Sequence, residues 1–233
     1  MKKNDPSVVL PHRIKNLNRS RAFFIPADTP GSTIKKYLGE KADKKQKLMF
    51  SHLFFLKKSV ALLGGIGAPA AVLAVEPLLC SGIKELIILG FCGGLSEKLK
   101  LFDACLIHTA FSEEGTSSNY MPQKKIFHPS QKLTQEVKKL FQSAQIPIQT
   151  ASIVSTDAPY RETKEWLRQK RSRGIDTVDM ETSALFALSD YHQIHAAAVM
   201  LVSDLIKPDI HKKGFSQKRF DARVKDIFFP FFI

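Results

Sequence analysis

The chain has 233 residues, enough for one sizeable hydrophobic core, and its content of 44% hydrophobic and 24% charged residues is ordinary for a globular protein. The formal net charge of +13 is extreme, but the basic residues are spread over residues 41–47, 168–173 and 212–219 without an RNA-binding signature. We therefore expect a solvated basic surface and no specific nucleic-acid partner, and the lack of any apolar run of roughly 18 residues excludes a membrane-spanning helix.

Short apolar runs alternate with amphipathic stretches along the chain. The apolar runs predict strands over residues 22–26, 59–63, 85–89, 104–109, 148–155, 175–178 and 196–202. The amphipathic stretches predict helices near residues 32–38, 68–80, 130–143, 162–171, 182–191 and 216–228. This alternation is typical of an α/β protein, and we expect a three-layer α/β/α fold with a central mixed sheet.

Neither repeats nor linkers interrupt this pattern, so we expect one domain over residues 1–233, with residues 1–20 as a candidate mobile segment. The three cysteines, Cys80, Cys92 and Cys105, lie in apolar surroundings without pairing or metal-ligand spacing. They predict free thiols in a reducing compartment, and hence a cytoplasmic protein without a disulfide frame, metal or cofactor. The apolar tail, residues 227–233, is expected to pack on the body or at a subunit interface.

Two glycine-rich loops follow predicted strands. Gly64-Gly65-Ile66-Gly67 leads into the helix at Ala68, and Gly90-Phe91-Cys92-Gly93-Gly94-Leu95 leaves the next strand. Glycine allows close backbone approach and positive φ, so such loops can cradle a ligand with main-chain groups or simply form tight turns. Neither loop has the spacing of a dinucleotide fingerprint or the Lys-Ser/Thr ending of a P-loop.

Two acidic segments lie just beyond predicted strands, where an open α/β sheet usually presents its ligand site. They are Val178-Asp179-Met180-Glu181 and Val202-Ser203-Asp204. One carboxylate can accept hydrogen bonds from a sugar diol while a second protonates a leaving base, a pairing that suits cleavage of a nucleoside. Helix capping is the alternative for each segment alone, because acidic residues are stabilised near a helix start.

In this order, the motifs resemble the nucleoside phosphorylase and nucleosidase superfamily, over about residues 23–205. That superfamily includes purine nucleoside phosphorylase, uridine phosphorylase, methylthioadenosine/S-adenosylhomocysteine nucleosidase and futalosine hydrolase. The separation of Met180-Glu181 from Ser203-Asp204 is the most specific part of the resemblance. Its other parts are Ile25-Pro26-Ala27-Asp28, the two glycine loops, Glu114-Gly115-Thr116-Ser117 and Ser155-Thr156-Asp157-Ala158-Pro159-Tyr160.

The resemblance implies a role for each matched acidic position. Glu181 would accept hydrogen bonds from the ribose hydroxyls, with Met180 packed against the sugar. Asp204, next to Ser203, would protonate N7 of a purine as the glycosidic bond breaks, and such general-acid help is typically worth about 10²–10⁴-fold. Because uridine-cleaving relatives usually lack this Asp, Asp204 points to a purine, and we expect a 6-aminopurine.

The resemblance also implies a set of residues around the sugar and the base. Phe91, Cys92 and Gly93 would lie under the sugar and the attacking group. Relatives place a base-stacking aromatic residue where this chain has Pro159, so the ring is expected from Tyr160 or Phe91. The remaining candidate contacts are Asp157 and Arg161, with a surface role at a helix start as the alternative for Arg161.

Departures from the family pattern bear on the nucleophile. Family phosphorylases hold phosphate with two arginines, and this chain has Gly31 and Ile88 at the corresponding places. Losing both guanidinium groups removes bidentate phosphate ligands, so we expect water as the nucleophile. A phosphorylase that uses Lys57, Lys58 or a neighbouring subunit's arginine is the alternative.

The water-activating residue is open at this point. Nucleosidases of the family use a glutamate in the first loop, where this chain has Gly31. Asp28 is the nearest candidate for catalysis, and Glu113 or Glu114 are alternatives from another loop.

The expected reaction is hydrolytic release of adenine from methylthioadenosine, S-adenosylhomocysteine or 6-amino-6-deoxyfutalosine, an intermediate of one menaquinone route. The alternatives are a phosphate-dependent purine or uridine nucleoside phosphorylase, and a non-catalytic nucleoside-binding or nucleic-acid-binding protein, since fold does not fix function. Family nucleosidases are dimers and many phosphorylases are hexamers, so the preference for hydrolysis implies a homodimer.

Overall fold

In a computed structural model, which describes residues 7–233 apart from the side chain of Lys218, eleven strands form one mixed sheet. The strands are β1 Arg21–Ile25, β2 Lys44–Leu48, β3 Ser51–Phe55, β4 Val60–Leu63, β5 Glu85–Gly94, β6 Ala104–Glu113, β7 Ile126–Phe127, β8 Gln149–Thr156, β9 Thr177–Asp179, β10 His195–Lys207 and β11 Ile210–Lys213. The helices are α1 Thr33–Lys41, α2 Ala68–Cys80, α3 Ser117–Tyr120, α4 Gln131–Ser143, α5 Lys164–Ser172, α6 Thr182–Tyr191 and α7 Lys218–Phe228. Within the described range, no helix combines the length and the apolar content needed to cross a bilayer.

The strand order is β11-β10-β6-β8-β9-β5-β1-β4-β3-β2, and β7 pairs with β6. Because β10 also pairs with β5, the strands β5, β9, β8, β6 and β10 close into a ring. β5 runs parallel to β1 and β10 and antiparallel to β9. The ring therefore brings the ends of β5, β9 and β10 together.

A small hydrophobic cluster lies under α5, and two larger clusters lie one on each face of the open part of the sheet. Successive side chains of β1 alternate between them: Ala22 and Phe24 pack with α2 and α6, whereas Phe23 and Ile25 pack with α1, α4 and α7. All four side chains are buried, as is usual for a strand covered on both faces. The predicted three-layer α/β fold with a mixed sheet is confirmed.

Each of the seven predicted strands and six predicted helices has a counterpart, and the strands β2, β3, β7 and β11 and the short helix α3 are additional. β2, with the sequence Lys-Lys-Gln-Lys-Leu, is an edge strand, and lysine side chains on such an edge discourage pairing with another chain. All four residues of β11 are exposed. Neither strand has the apolar alternation from which strands are predicted, so pairing with a neighbour defines both.

Residues near both ends of the described range are buried in the core. Residues 1–6 of the candidate mobile segment lie outside the described residues, while Ile14 and Leu17 are buried in the core. The ring of Phe232 is buried with its centroid 5.3 Å from that of Phe23, so the apolar tail packs on the body of the protein.

Candidate active site

The register of the ring places the two acidic segments on either side of one glycine. Gly93 of β5 pairs with Val178 of β9 and with Asp204 of β10. A Cβ atom on Gly93 would lie 2.8 Å from Cδ1 of Ile206 and 3.1 Å from Cγ1 of Val178. A side chain at this position would therefore require the side chains of Ile206 and Val178 to move.

Glu181 lies at the start of α6, and only 5% of its surface is exposed. The backbone N–H of Gly67, where α2 begins, donates a hydrogen bond of 2.5 Å to its Oε1, and the N–H of Met180 donates to Oε2 over 3.3 Å. Gly67 has a φ of +88°, a conformation that glycine adopts without strain. The first glycine loop is thereby joined to Glu181, next to the half-buried Met180.

Asp179 is buried beside Glu181. Its carboxylate accepts hydrogen bonds from Oγ of Ser155 at 2.6 Å, from N–H of Thr182 at 2.9 Å and from Oγ1 of Thr182 at 2.5 Å. Burial, followed by the negative charge of Asp179, raises the pKa of Glu181 to about 8. The raised pKa favours the protonated form of Glu181, and a protonated carboxyl group can both donate and accept hydrogen bonds.

Asp204 lies across Gly93 from this pair and has polar groups at both carboxylate oxygens. Oγ of Ser203 is 2.7 Å from Oδ1, and Nε2 of His211 is 2.7 Å from Oδ2. Burial, followed by the negative charge of Asp204, raises the pKa of Glu162 to about 7. The site therefore combines two carboxyl groups of raised pKa with a carboxylate that is hydrogen-bonded to an imidazole.

The hydroxyl of Ser203 links Asp204 to the second glycine loop. It lies 3.2 Å from the carbonyl oxygen of Cys92, in addition to its contact with Asp204. Ser203, Cys92 and Gly93 are all buried, so they fix the floor of the site between β5 and β10.

The structure gives Asp28 a capping position at the start of α1. Its Oδ1 accepts hydrogen bonds from the N–H groups of Thr29 at 2.8 Å and Ile34 at 3.0 Å, and its Oδ2 accepts from Lys35 at 3.2 Å. Both oxygens are engaged, so this geometry favours helix capping over water activation.

The alternatives Glu113 and Glu114 have other partners as well. Glu114 accepts hydrogen bonds of 2.6–3.0 Å from the hydroxyl groups of Ser112 and Ser183 and from the N–H groups of Thr116 and Ser117. Burial alone would raise the pKa of Glu114, but these hydrogen bonds, with that of the Ser117 hydroxyl, outweigh it and lower the pKa. Glu113 forms an ion pair with Lys170 and accepts a hydrogen bond of 3.0 Å from the indole N–H of Trp166.

Several predicted base contacts are not assembled in this structure. The side chain of Tyr160 is fully exposed and that of Arg161 is also exposed. Asp157 accepts a hydrogen bond of 2.9 Å from N–H of Gly115. The ring of Phe91 packs against α7, with its centroid 5.2 Å from that of Phe220. Stacking on the base by Tyr160 or Phe91 therefore stays a prediction.

Three further residues carried no sequence motif: His211 and Glu162, which lie beside Asp204, and Asp221, which faces Gly31. Asp221, in the first turn of α7, faces Gly31, because a Cβ atom on Gly31 would lie 3.1 Å from its Oδ2. The Oδ1 atom of Asp221 is buried and has no hydrogen-bond partner among the described residues. Its position in the first helical turn is the one sequence signal, and that signal is equally explained by the helix dipole.

Comparison with known proteins agrees with the motifs. A family model described as the phosphorylase superfamily matches residues 9–227. A guanosine phosphorylase of Halorubrum lacusprofundi is 28% identical over 162 residues, which cover 70% of this chain and 67% of that protein. A DeoD-type purine nucleoside phosphorylase of Brevibacillus brevis is 28% identical over 153 residues, and the match spans just under two thirds of its length, 65%.

Solved structures share the fold. A purine nucleoside phosphorylase of Toxoplasma gondii in complex with immucillin-H superposes with a TM-score of 0.70 at 21% identity, over 89% of each chain. An AMP nucleosidase of Bacteroides thetaiotaomicron gives the same TM-score at 22% identity, over 79% of this chain and 81% of that chain. With the family model covering residues 9–227, the resemblance read from the motifs is confirmed, and the chain belongs to the phosphorylase superfamily.

Proposed function

We propose that this protein cleaves the N-glycosidic bond of a purine nucleoside, with Glu181 binding the ribose and Asp204 acting on the base. The observation that carries this proposal is the placement of the two carboxyl groups around Gly93: Asp204 lies on β10, opposite Gly93, and Glu181 lies two residues beyond the end of β9, whose Val178 also pairs with Gly93. A nucleoside bound over Gly93 would meet Glu181 on one side and Asp204 on the other. One carboxyl group would then hydrogen-bond the sugar while the other protonates the leaving base.

The chemistry follows from the charge that develops as the bond breaks. The C1′–N9 electron pair leaves with the base, and the sugar becomes oxocarbenium-like. Protonation of N7 by Asp204 neutralises the departing base, an effect typically worth about 10²–10⁴-fold. Glu181, whose raised pKa favours its protonated form, can donate to one ribose hydroxyl and accept from the other.

Water is the proposed nucleophile, and the surroundings of Gly31 support it. The carboxylate of Asp221 faces Gly31, and a negative charge there disfavours a phosphate dianion. The unpartnered Oδ1 of Asp221 is instead suited to accept a hydrogen bond from a water molecule, since buried acceptors usually have a partner. We therefore assign the orientation of the attacking water to Asp221 in place of Asp28.

Phosphorolysis is the second candidate, because the curated relatives described above are named phosphorylases. The alternative phosphate ligands on this chain, Lys57 and Lys58, precede β4, whereas the glycine loop follows it. They therefore lie at the far end of the strand from Gly64, which favours hydrolysis.

The proposed substrates are adenine nucleosides that differ at the 5′ position, namely methylthioadenosine, S-adenosylhomocysteine and 6-amino-6-deoxyfutalosine. We would measure base release from these three and from adenosine, inosine and uridine, each with and without phosphate. Adenine release at equal rates in both conditions is expected. Release only with phosphate would overturn the hydrolytic assignment, and no release from any substrate would favour a binding protein.

Variants separate the roles of the carboxyl groups in the same assay. Asp204→Asn is expected to lower kcat by at least a hundredfold, because the acid is lost while the shape is kept. Asp221→Asn is expected to lower kcat without making the reaction depend on phosphate. Asp226→Asn, an exposed change on the same helix as Asp221, serves as the matched control and should leave kcat unchanged.

A further inference from the structure

His211 reaches Asp204 because of the pairing between β10 and β11. In this antiparallel ladder Asp204 pairs with Lys213 and Ile206 pairs with His211, so His211 is the diagonal neighbour of Asp204 on the same face. Nε2 of His211 lies 2.7 Å from Oδ2 of Asp204, while Ser203 contacts Oδ1. The carboxylate is thus held at both oxygens, and one of the two partners can carry a proton.

The two groups differ in their access to water. The side chain of Asp204 is 14% exposed, whereas that of His211 is 52% exposed. A proton can therefore move from solvent to the imidazole and then along one short hydrogen bond to the carboxylate. Among the groups near Asp204, Ser203 is buried and lacks a proton that it can release near neutral pH.

The other charged groups around this pair are few. On the face of His211, Lys213 lies directly across from Asp204, and Glu162 approaches Asp204 from the segment before α5. On the opposite face lie Lys212 and Lys207 of the same two strands. Asp209, in the turn between the strands, pairs with Lys164 at 2.5 Å.

We propose that His211 supplies the proton that Asp204 passes to the leaving base. This inference rests on the proposed function. The imidazolium transfers the proton on Nε2 to Oδ2 of Asp204, which leaves a neutral imidazole and a carboxylic acid. The acid then gives that proton to N7 as the C1′–N9 bond breaks, and the bonding electron pair goes to the base.

The cycle closes without any further reactant. Water adds to C1′ and releases one proton to solvent, and the exposed imidazole takes one proton back from solvent. His211 thus restores the acid for each turnover, whereas a carboxylate without a titratable partner depends on direct access to water. Glu162 stays outside the relay because it is not hydrogen-bonded to either partner.

Two variants of His211 distinguish a proton donor from a group that only positions Asp204. His211→Gln keeps an N–H group that can donate to Asp204 but cannot release a proton. His211→Ala leaves an exposed space next to Asp204 that free imidazole can enter. We expect both variants to lower kcat at least tenfold with KM within twofold of the wild type, measured on the adenine nucleoside that the wild type cleaves fastest.

Rescue by imidazole gives the decisive readout. Added imidazole is expected to raise kcat of His211→Ala at least fivefold, in proportion to its protonated fraction as pH is varied, and to leave His211→Gln unchanged. His195→Gln, at the opposite end of β10, is the matched control and should keep the wild-type rate and pH profile. Circular dichroism of each variant verifies that it is folded.

The outcomes separate this proposal from the function on which it rests. If Asp204→Asn abolishes cleavage while His211→Gln retains wild-type kcat and pH profile, the relay is wrong and the proposed function stands. If His211→Ala is slow but imidazole does not restore it, His211 only positions Asp204 and the relay is again wrong. If the wild type cleaves no nucleoside, the proposed function itself is wrong.

Discussion

The buried carboxyl group of Glu181 makes the stability of the protein depend on pH. Its pKa in the folded protein, about 8, lies above the ordinary value of 4.5 because of burial and the charge of Asp179. The folded state thus binds this proton more tightly than the unfolded chain does. The contribution of Glu181 to stability is fully present below pH 4.5 and is lost as pH rises through about 8.

Glu181→Gln should remove this dependence. Gln keeps the shape, still accepts the hydrogen bond from Gly67, and cannot ionise. Each unit of pKa difference corresponds to about 1.4 kcal/mol, so we expect the variant to be more stable than the wild type by a few kcal/mol at pH 9 and equal to it near pH 4.5. Urea unfolding at a series of pH values measures the difference.

The exposed substitution Glu165→Gln is the control for this comparison, because it removes one carboxyl group without changing a buried one. Equal pH dependence of the unfolding free energy in the wild type and Glu181→Gln would contradict the assignment of a raised pKa to Glu181.

Among the elements, β5 meets side chains of both β9 and β10 closely at Gly93. A methyl group on Gly93 would lie 2.8 Å from Cδ1 of Ile206 and 3.1 Å from Cγ1 of Val178, so Gly93→Ala forces these two side chains to shift. Overpacking of this kind typically costs about 1–3 kcal/mol. We expect a lower Tm and a loss of activity, since Gly93 pairs with Asp204 and with Val178, which lies three residues before Glu181.

Gly115→Ala is the matched control for Gly93. Its added Cβ atom would meet only Oδ2 of Asp157, at an ordinary 3.7 Å. A Tm of Gly93→Ala equal to that of Gly115→Ala would show that the strands tolerate a side chain at Gly93. Differential scanning calorimetry and the base-release assay give the two readouts.

Sequence patterns predict the buried elements of this protein but not all the contacts between elements. Apolar runs and helical periodicity predicted β9, α6 and β10, the elements that position Glu181 and Asp204. These elements are buried, and buried elements have the apolar residues from which strands and helices are predicted. β11 is exposed and carries no such pattern, so the pairing that brings His211 to Asp204 is visible only in three dimensions. Likewise, Asp221 and Gly31 are 190 positions apart in the sequence, and their contact depends on how α7 packs on α1.

At the scale of the whole molecule, the last residues of the chain pack into the hydrophobic cluster that α1, α4 and α7 form on one face of the sheet. The segment Phe229–Phe232 follows α7, the helix that carries Asp221 and whose Phe220 packs against Phe91 of the second glycine loop. Phe229 stacks on Tyr37 of α1, with ring centroids 3.7 Å apart. The C-terminal segment thereby holds α7 against α1, next to Gly31.

Phe232→Ala should accordingly affect both stability and catalysis. The ring is buried against Phe23, and replacing a buried Phe by Ala typically costs about 3–5 kcal/mol. We expect a loss of unfolding free energy in this range and a lower kcat, because Asp221 moves with α7. Ile233→Ala is the control, since that side chain is 98% exposed and should change neither quantity. If Phe232→Ala is destabilised but retains full kcat at a temperature where it is folded, the C-terminal segment stabilises the core without positioning the site.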